Sequence, residues 1–217
     1  ATVSRALSDS PLISAATKAR VRAAMEQLSY VPHAGAQAMK TRRTNTIGVV
    51  VAELTNPFFA EVLDELTTQF AAAGFRVVVW NTGSGSHADA LSAIRERAID
   101  GVVFTTATKN SPELNASIER RSPLVLINRM IDDLDCDQVV SDNIAGARAV
   151  ADFLVDNSRR RIAYIGGVPD ASTSRDRRIG FLGRMEELGL PVPEHLQFAG
   201  GGSHERAVLI TDRLLSR

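Results

Sequence analysis

The sequence predicts an α/β protein built on parallel sheets with helices on both faces, preceded by a smaller all-helical segment. From Ile47 onward, short β-branched apolar runs alternate with amphipathic helical stretches, the pattern of βαβ units. Residues 1–31 instead show helical periodicity and no strand-like run. We therefore expect two structurally different parts in a 217-residue chain, a length that accommodates two domains.

Strand-like and helix-like segments follow one another in order after residue 46. Right-handed crossovers bring the loops that follow each strand to one edge of such a sheet, where its ligands bind. The predicted strands are 47–54, 76–82, 101–106, 123–128, 138–143 and 161–167. The predicted helices between them are 57–74, 87–100, 111–120 and 144–157.

The first segment is predicted to hold a short helix, a turn and a longer basic helix. ATVSRAL at 1–7 is long enough for one or two helical turns, SDSPL at 8–12 is a turn, and the helix at 14–30 starts with Ser14 as N-cap. This succession matches the back half of a helix-turn-helix headpiece. In that geometry Arg5 is able to bind guanine bidentately.

Pro32 ends the long helix and opens a weaker stretch. HAGAQAMK at 33–40 is marginal as an isolated helix, because it is short and contains Gly35. TRRTNT at 41–46 is polar, basic and without core residues, which predicts a linker.

The formal net charge is zero, but the charges are distributed unevenly. Residues 1–44 hold seven basic and two acidic side chains, so the remainder is acidic. A basic segment on an acidic body indicates a polyanionic partner for the first part, although a solvated basic helix face explains the charge equally well. No apolar stretch reaches the length of a membrane span, and the single Cys136, which forms no intrachain disulfide, fits a reducing cytoplasm.

Catalytic and cofactor motifs are weak in this sequence. The four histidines are scattered without ligand spacing and are expected at the surface, and no nucleophile elbow or P-loop lysine motif is present. GSGSHA at 83–88 fits a dinucleotide-binding spacing, but it follows the second strand of the array, so a strand–helix turn is the better interpretation. We expect no enzyme activity, cofactor or metal.

Five stretches together resemble the lactose-repressor (LacI/GalR) family of bacterial transcription regulators. They are ATVSRAL, SAATKARVRAAMEQLSYVPHAGAQAM, RRTNTIGVVVAELTNPFFAEVL, RRIAYIGG at 160–167 and RRIGFLGRMEELGL at 177–190. The resemblance implies a periplasmic-binding-protein-like body of two doubly wound subdomains, the second incomplete here, and a headpiece whose first helix precedes Ala1. The implied segments are a partial headpiece (1–31), a hinge helix with linker (32–46), an N-subdomain (47–157) and a partial C-subdomain (158–217).

The resemblance also implies DNA-contacting residues. ATVSR matches the family's recognition helix, and Pro32–Met39 matches a hinge helix that folds on operator DNA in the minor groove, with Met39 at the position that inserts between base pairs. The implied DNA-binding residues are Ala1, Thr2, Ser4, Arg5, His33, Ala36 and Met39.

An effector site is implied in the body. The NPFF loop would supply a hydroxyl partner and two stacking rings, although Phe59 as a core residue at the start of an amphipathic helix is an alternative. INR stands where the family usually has Asp-Arg, so a strong hydroxyl acceptor is missing, and two arginines without an aspartate also suit an anionic effector. The implied effector-binding residues are Asn56, Phe58, Phe59, Asn128, Arg129, Thr173 and Arg177.

Together these features predict a cytoplasmic, homodimeric transcription regulator, a repressor, that binds operator DNA and responds to a small-molecule effector. The effector would be a sugar, a sugar phosphate or a related metabolite, and no membrane partner is expected. One alternative is a carbohydrate-binding receptor without DNA binding, which would share residues 47–217. The other is a nucleotide-dependent enzyme that uses GSGSHA.

Overall fold

The computed structural model describes residues 2–7, 9–31, 34–82, 87–108 and 111–216. The chain divides into two compact units, Ala1–Thr44 and Asn45–Arg217. Within the described residues, no helix combines the length and the apolar character needed to cross a membrane.

The smaller unit is helical, as the sequence predicts. Its helices are α1 (Thr2–Leu7), α2 (Ala15–Gln27) and α3 (Ala34–Thr41). The hydroxyl of Ser14 accepts a hydrogen bond from the N–H of Thr17 at 3.3 Å and so caps α2. α1 packs against α2, and Ala6 is buried at 5% exposure.

The larger unit opens with a five-stranded parallel sheet in the order β2-β1-β3-β4-β5. The strands are β1 (Thr46–Val51), β2 (Arg76–Asn81), β3 (Gly101–Phe104), β4 (Leu124–Ile127) and β5 (Asp137–Val139). The helices that connect them are α4 (Pro57–Ala72), α5 (Ala88–Arg95) and α6 (Pro112–Glu119). The first four strands are thus joined in turn by crossover helices, which confirms the predicted βαβ arrangement.

Alternate residues of the central strands enter two different cores. Val50 and Phe104 pack into one cluster with the helices α5 and α6, whereas Val49, Val51 and Val103 pack into another with α4. Consecutive strand side chains point to opposite faces, so a sheet covered on both sides needs an uninterrupted apolar strand. This explains the β-branched runs in the sequence.

The rest of the larger unit is a smaller α/β half. Its elements are α7 (Asn143–Asp156), β6 (Tyr164–Gly166), α8 (Ser172–Glu187), a 3-10 turn (Glu194–Leu196), β7 (Gln197–Ala199) and α9 (His204–Leu215). β6 and β7 form a parallel pair. We call residues 45–142 the first half and residues 143–216 the second half of the larger unit.

The packing of α7 favours placing it with the second half, whereas the sequence-based boundary at residue 158, which stays a prediction, assigns it to the first. Ala147 and Ala151 of α7 share a buried cluster with Phe181 and Met185 of α8, because the two helices pack along their length. The sequence order of strand and helix favours assigning α7 to the preceding sheet, but the close packing on α8 determines where it belongs.

Element ends also differ from the predictions. β1 ends at Val51 instead of residue 54, because the next residues form the turn that leads into α4. The helix predicted to reach residue 100 ends at Arg95, and Arg97 adopts a left-handed conformation with φ of 56°. Such a residue interrupts right-handed helical geometry.

Candidate functional site

A cavity of about 900 Å³ lies where the strands of both halves end. Its lining comes from loops that follow strands and from the first turns of helices, which is the usual location of ligands on parallel sheets. Small-molecule sites in proteins have volumes of about 300–1,000 Å³. The lining includes all the effector-binding residues inferred from the sequence, namely Asn56, Phe58, Phe59, Asn128, Arg129, Thr173 and Arg177.

The NPFF segment has both a structural role and a position at the cavity. The side-chain Oδ1 of Asn56 accepts a hydrogen bond from the N–H of Phe58 at 3.1 Å and caps α4, and Pro57 occupies the start of that helix. Phe58 is 46% exposed as a residue, whereas Phe59 is 6% exposed and packs in the sheet core. Phe59 therefore matches the alternative of a core residue that borders the cavity, and stacking on a ligand stays a prediction for the exposed Phe58.

Asn128 turns the chain at the end of β4. Its backbone is left-handed, with φ of 67°, a conformation that Asn tolerates better than most residues. Its N–H donates to the carbonyl of Val139 at 2.9 Å, and its Nδ2 donates to the carbonyl of Thr105 at 3.4 Å. This sharp turn, made by a neutral side chain, positions the following Arg129 at the cavity.

Arg129 is a half-buried cation in the cavity wall. Its Nη1 donates to the carbonyl of Thr106 at 3.2 Å, and in the part of the chain that the structure describes its buried Nε has no hydrogen-bond partner. Burial lowers the pKa of Arg129, but a guanidinium remains charged at neutral pH. The cavity wall therefore carries a positive charge that the described protein groups only partly satisfy.

His87 lies in the same wall, although the sequence placed it at the surface. Its Nε2 is 3.1 Å from the hydroxyl of Thr106, and its ring meets the ring of Phe104 edge-on at 5.3 Å. Burial has the largest effect on His87 and lowers its pKa. The negative charge of Glu113 raises the pKa, the positive charge of Arg129 lowers it, and the net change is a lowered pKa. Its position at the carboxyl edge of the sheet, just before α5, was the signal that could have located it.

The second half contributes the opposite wall. Thr173, 8% exposed, and Arg177 lie in the first turns of α8, and the Nε of Arg177 donates to the Oδ1 of Asn143 at 2.8 Å. Gly201 and Gly202, with φ of 65° and 76°, form the loop before α9 and present no side chain to the cavity.

The segment after Arg129 also joins the two halves. The N–H of Met130 donates to the hydroxyl of Ser172 at 2.9 Å. Two residues later, Asp132 pairs with Arg175 of α8 at 2.6 Å, and Arg175 also pairs with Asp176 at 2.8 Å. Both carboxylates, Asp176 more than Asp132, raise the pKa of Arg175. The cavity therefore adjoins a polar connection between the halves.

The residues inferred for DNA binding lie in the smaller unit. Thr2 and Arg5 are exposed on α1, and Ser4 is half-buried on the same helix. Met39 lies on α3 with 85% exposure, and Ala36 belongs to the same helix. Ala1, Pro32, His33 and residues 83–86 of the glycine-rich stretch lie outside the described residues.

Comparison with known proteins adds two matching family models. Residues 1–33 match the model of bacterial regulatory proteins of the lacI family, and residues 44–216 match that of periplasmic binding proteins and sugar binding domain of LacI family. The chain therefore belongs to the LacI family, with a periplasmic-binding-protein-like α/β fold in its larger part.

Individual relatives are similar over most of this chain. The transcriptional repressor PurR of Vibrio parahaemolyticus is 28% identical over 98% of the chain and 65% of its own length. The maltose regulon regulatory protein MalI of Escherichia coli is 33% identical over 88% of the chain and 56% of its own length. A solved complex of the transcriptional regulator CelR with cellobiose matches with a TM-score of 0.72 and 27% identity, over 98% of the chain and 65% of that protein. The chain thus spans between half and two thirds of the length of these relatives.

Proposed function

We propose that this chain is part of a DNA-binding transcription repressor whose operator binding is controlled by a small-molecule effector in the cavity. The observation that carries the proposal is the convergence of all seven inferred effector residues, drawn from two halves, on one cavity of ligand size. The basic smaller unit with an exposed Arg5 supplies the complementary feature.

The smaller unit would bind DNA through α1. Exposed Arg5 suits bidentate binding of guanine in the major groove, while Thr2 and Ser4 suit the phosphate backbone. Met39, apolar and almost fully exposed on α3, suits insertion between base pairs in the minor groove. A homodimer in the cytoplasm would place two such units on a pseudo-palindromic operator.

The larger unit would bind a sugar or a sugar derivative. Phe58 offers an exposed ring face, and Asn56, Asn128 and Thr173 offer hydrogen-bonding groups around the same cavity. The relative solved in complex with cellobiose supports this ligand class. Binding would favour one arrangement of the two halves, which changes operator affinity if that arrangement and DNA binding are linked.

The test measures whether the complete protein that contains this chain binds genomic DNA fragments and retards their migration in a gel. Retardation of one genomic fragment among many is expected, with an affinity that falls by orders of magnitude between about 50 and 200 mM salt. Arg5→Ala should cost about 1–3 kcal/mol and relax the preference at one base position.

The matched control removes the same charge elsewhere. Arg159 is exposed in the larger unit, so Arg159→Ala should leave retention and base preference unchanged. Sugar binding without retention of any genomic fragment would contradict the repressor and support a carbohydrate receptor instead.

A further inference from the structure

The charges in the cavity wall are unbalanced. Two guanidinium groups, those of Arg129 and Arg177, face one carboxylate, that of Glu53, among the described lining residues. Glu53 is exposed, and its Oε1 already accepts a hydrogen bond from the hydroxyl of Thr55 at 2.7 Å. A neutral ligand would leave this excess of positive charge in place.

Neither cavity arginine has a carboxylate partner in the described part of the chain. Arg129 donates to a backbone carbonyl, and Arg177 donates to the side-chain amide of Asn143. By contrast, the arginines Arg148, Arg175 and Arg184 each pair with carboxylates at 2.6–2.8 Å. Within the described residues, three arginines of this unit thus have carboxylate partners, whereas the two cavity arginines, like Arg178 outside the cavity, have only uncharged acceptors.

Arg129 is the more constrained of the two. Its Nε is buried and has no acceptor among the described residues, so part of its hydrogen-bonding capacity has been removed from water without compensation from them. A buried cation is stabilised most effectively by an anion that also accepts its hydrogen bonds. A ligand group with two or more anionic oxygens supplies both.

We propose that the effector carries a carboxylate or a phosphate group, and that Arg129 is the residue that supplies its counter-charge. The inference rests on the proposed function, because it takes the cavity to be the effector site. Arg177 adds a second positive charge from the opposite wall. The first turns of α4 and α8, whose N-terminal ends carry partial positive charge, border the same space.

Asn128 preserves this charge imbalance. As a neutral amide it donates to the carbonyl of Thr105, which a carboxylate is unable to do. An aspartate in its place would put a permanent anion next to Arg129 and compete with an anionic ligand. Asn128→Asp is therefore expected to weaken anion binding while retaining the turn, since Asp also tolerates the left-handed conformation.

The test is calorimetric titration of the complete protein with matched sugars. The probes are glucose, galactose and ribose, each compared with its acid and its terminal phosphate, and inorganic phosphate. At least one acid or phosphate should bind ten-fold or more tightly than its neutral parent, and the acid and phosphate arms distinguish the two anionic groups.

Three variants test whether the preference for the anionic probe depends on Arg129 and Asn128. Arg129→Gln should weaken binding of the anionic probe by about 10- to 100-fold, the loss expected for hydrogen bonds to a charged group. Asn128→Asp should weaken it in the same direction and raise the relative affinity for the neutral parent. Arg178→Gln is the matched control, because Arg178 donates to Gln197 away from this cavity and its replacement should leave affinity unchanged.

Three outcomes overturn the inference, and the first two are a neutral sugar that binds as tightly as its acid and phosphate, or the failure of every anionic probe to bind. An anionic probe whose affinity is unaffected in both Arg129→Gln and Asn128→Asp does the same. Operator retention separates the two proposals. If a neutral sugar releases operator DNA, the proposed function stands and this inference fails. If an anion binds through Arg129 but the protein binds no operator DNA, this inference stands and the proposed function fails.

Discussion

Gly180 is predicted to be the residue that sets the distance between α7 and α8. A Cβ at this buried position would collide with the carbonyl oxygen of Ile144 and approach the Cα of Ile144 to 3.0 Å and the Cβ of Ala147 to 3.1 Å. The obstacle is mainly backbone, which cannot move aside by rotating a side chain. Gly180→Ala therefore forces the two helices apart.

The magnitude is the difference between two opposing effects. Overpacking a well-packed contact typically costs about 1–3 kcal/mol. Because the obstacle to the Cβ of Gly180→Ala is mainly backbone, we expect a cost of about 3 kcal/mol. Alanine is better than glycine in a helix by about 1 kcal/mol. The net loss is about 2 kcal/mol, which for a domain of this size lowers the melting temperature by about 4–8 °C.

Gly183 provides the matched control on the same helix. A Cβ there meets nothing within 4 Å, so Gly183→Ala retains only the gain in helix propensity and should raise the melting temperature by about 2–4 °C. Thermal unfolding followed by circular dichroism measures both variants. Equal shifts of the same sign would refute the argument, because intrinsic helix propensity alone would then explain them.

Three further changes test the caps and one ion-pair network. Asp142→Ala should cost about 1 kcal/mol because it removes the N-cap of α7, and Asp142→Ser should restore most of it in urea unfolding. Asn56→Ser should keep the cap of α4 and the melting temperature but weaken binding of the effector, whereas Asn56→Ala should lower both. Hydrogen bonds from Arg148 and then Arg184 lower the pKa of Glu187 to about 2, so its contribution to stability is present above pH 4.5 and is lost as the pH falls toward 2. The fall in melting temperature between pH 7 and pH 3 should therefore be smaller in Glu187→Gln than in the parent.

Each of these predictions has a result that contradicts it. Equal stability of Asp142→Ala and the parent would show that water replaces the cap. Unchanged ligand affinity in Asn56→Ser would restrict Asn56 to capping. An identical acid sensitivity of Glu187→Gln and the parent would show that solvent screening cancels this exposed network.

The alternation of strands and helices was predictable because the sheet is buried on both faces. Such strands are uninterrupted apolar runs, as in the segment around Val49, Val50 and Val51, and their ends meet at one edge. The same rule brings Asn56 and Arg129, far apart in sequence, to one cavity. Features that depend only on strand order were therefore accessible from the sequence.

Features that depend on packing between distant segments were not accessible. The membership of α7 in the second half depends on the close approach at Gly180, which no local pattern shows. The burial of His87 depends on Phe104 and Thr106 from another strand and its loop. The absence of an acid beside Arg129 is visible in the sequence as Asn128, but the burial of its Nε without an acceptor among the described residues depends on several loops at once and becomes visible only in the structure.

If the cavity binds the proposed effector, the position of Arg129 in the chain would link ligand binding to the relation between the halves. Asn128 holds the turn, Arg129 faces the cavity, and the next residues, Met130 and Asp132, bond to the start of α8. A ligand that pulls on Arg129 therefore acts within three residues of the contacts that join the halves. A coupling free energy requires that ligand and contacts bias the same element, and this short segment satisfies the requirement without a long pathway. The charge of the proposed ligand would matter for the same reason, because an anion between Arg129 and Arg177 would interact with opposite walls of the cavity at once.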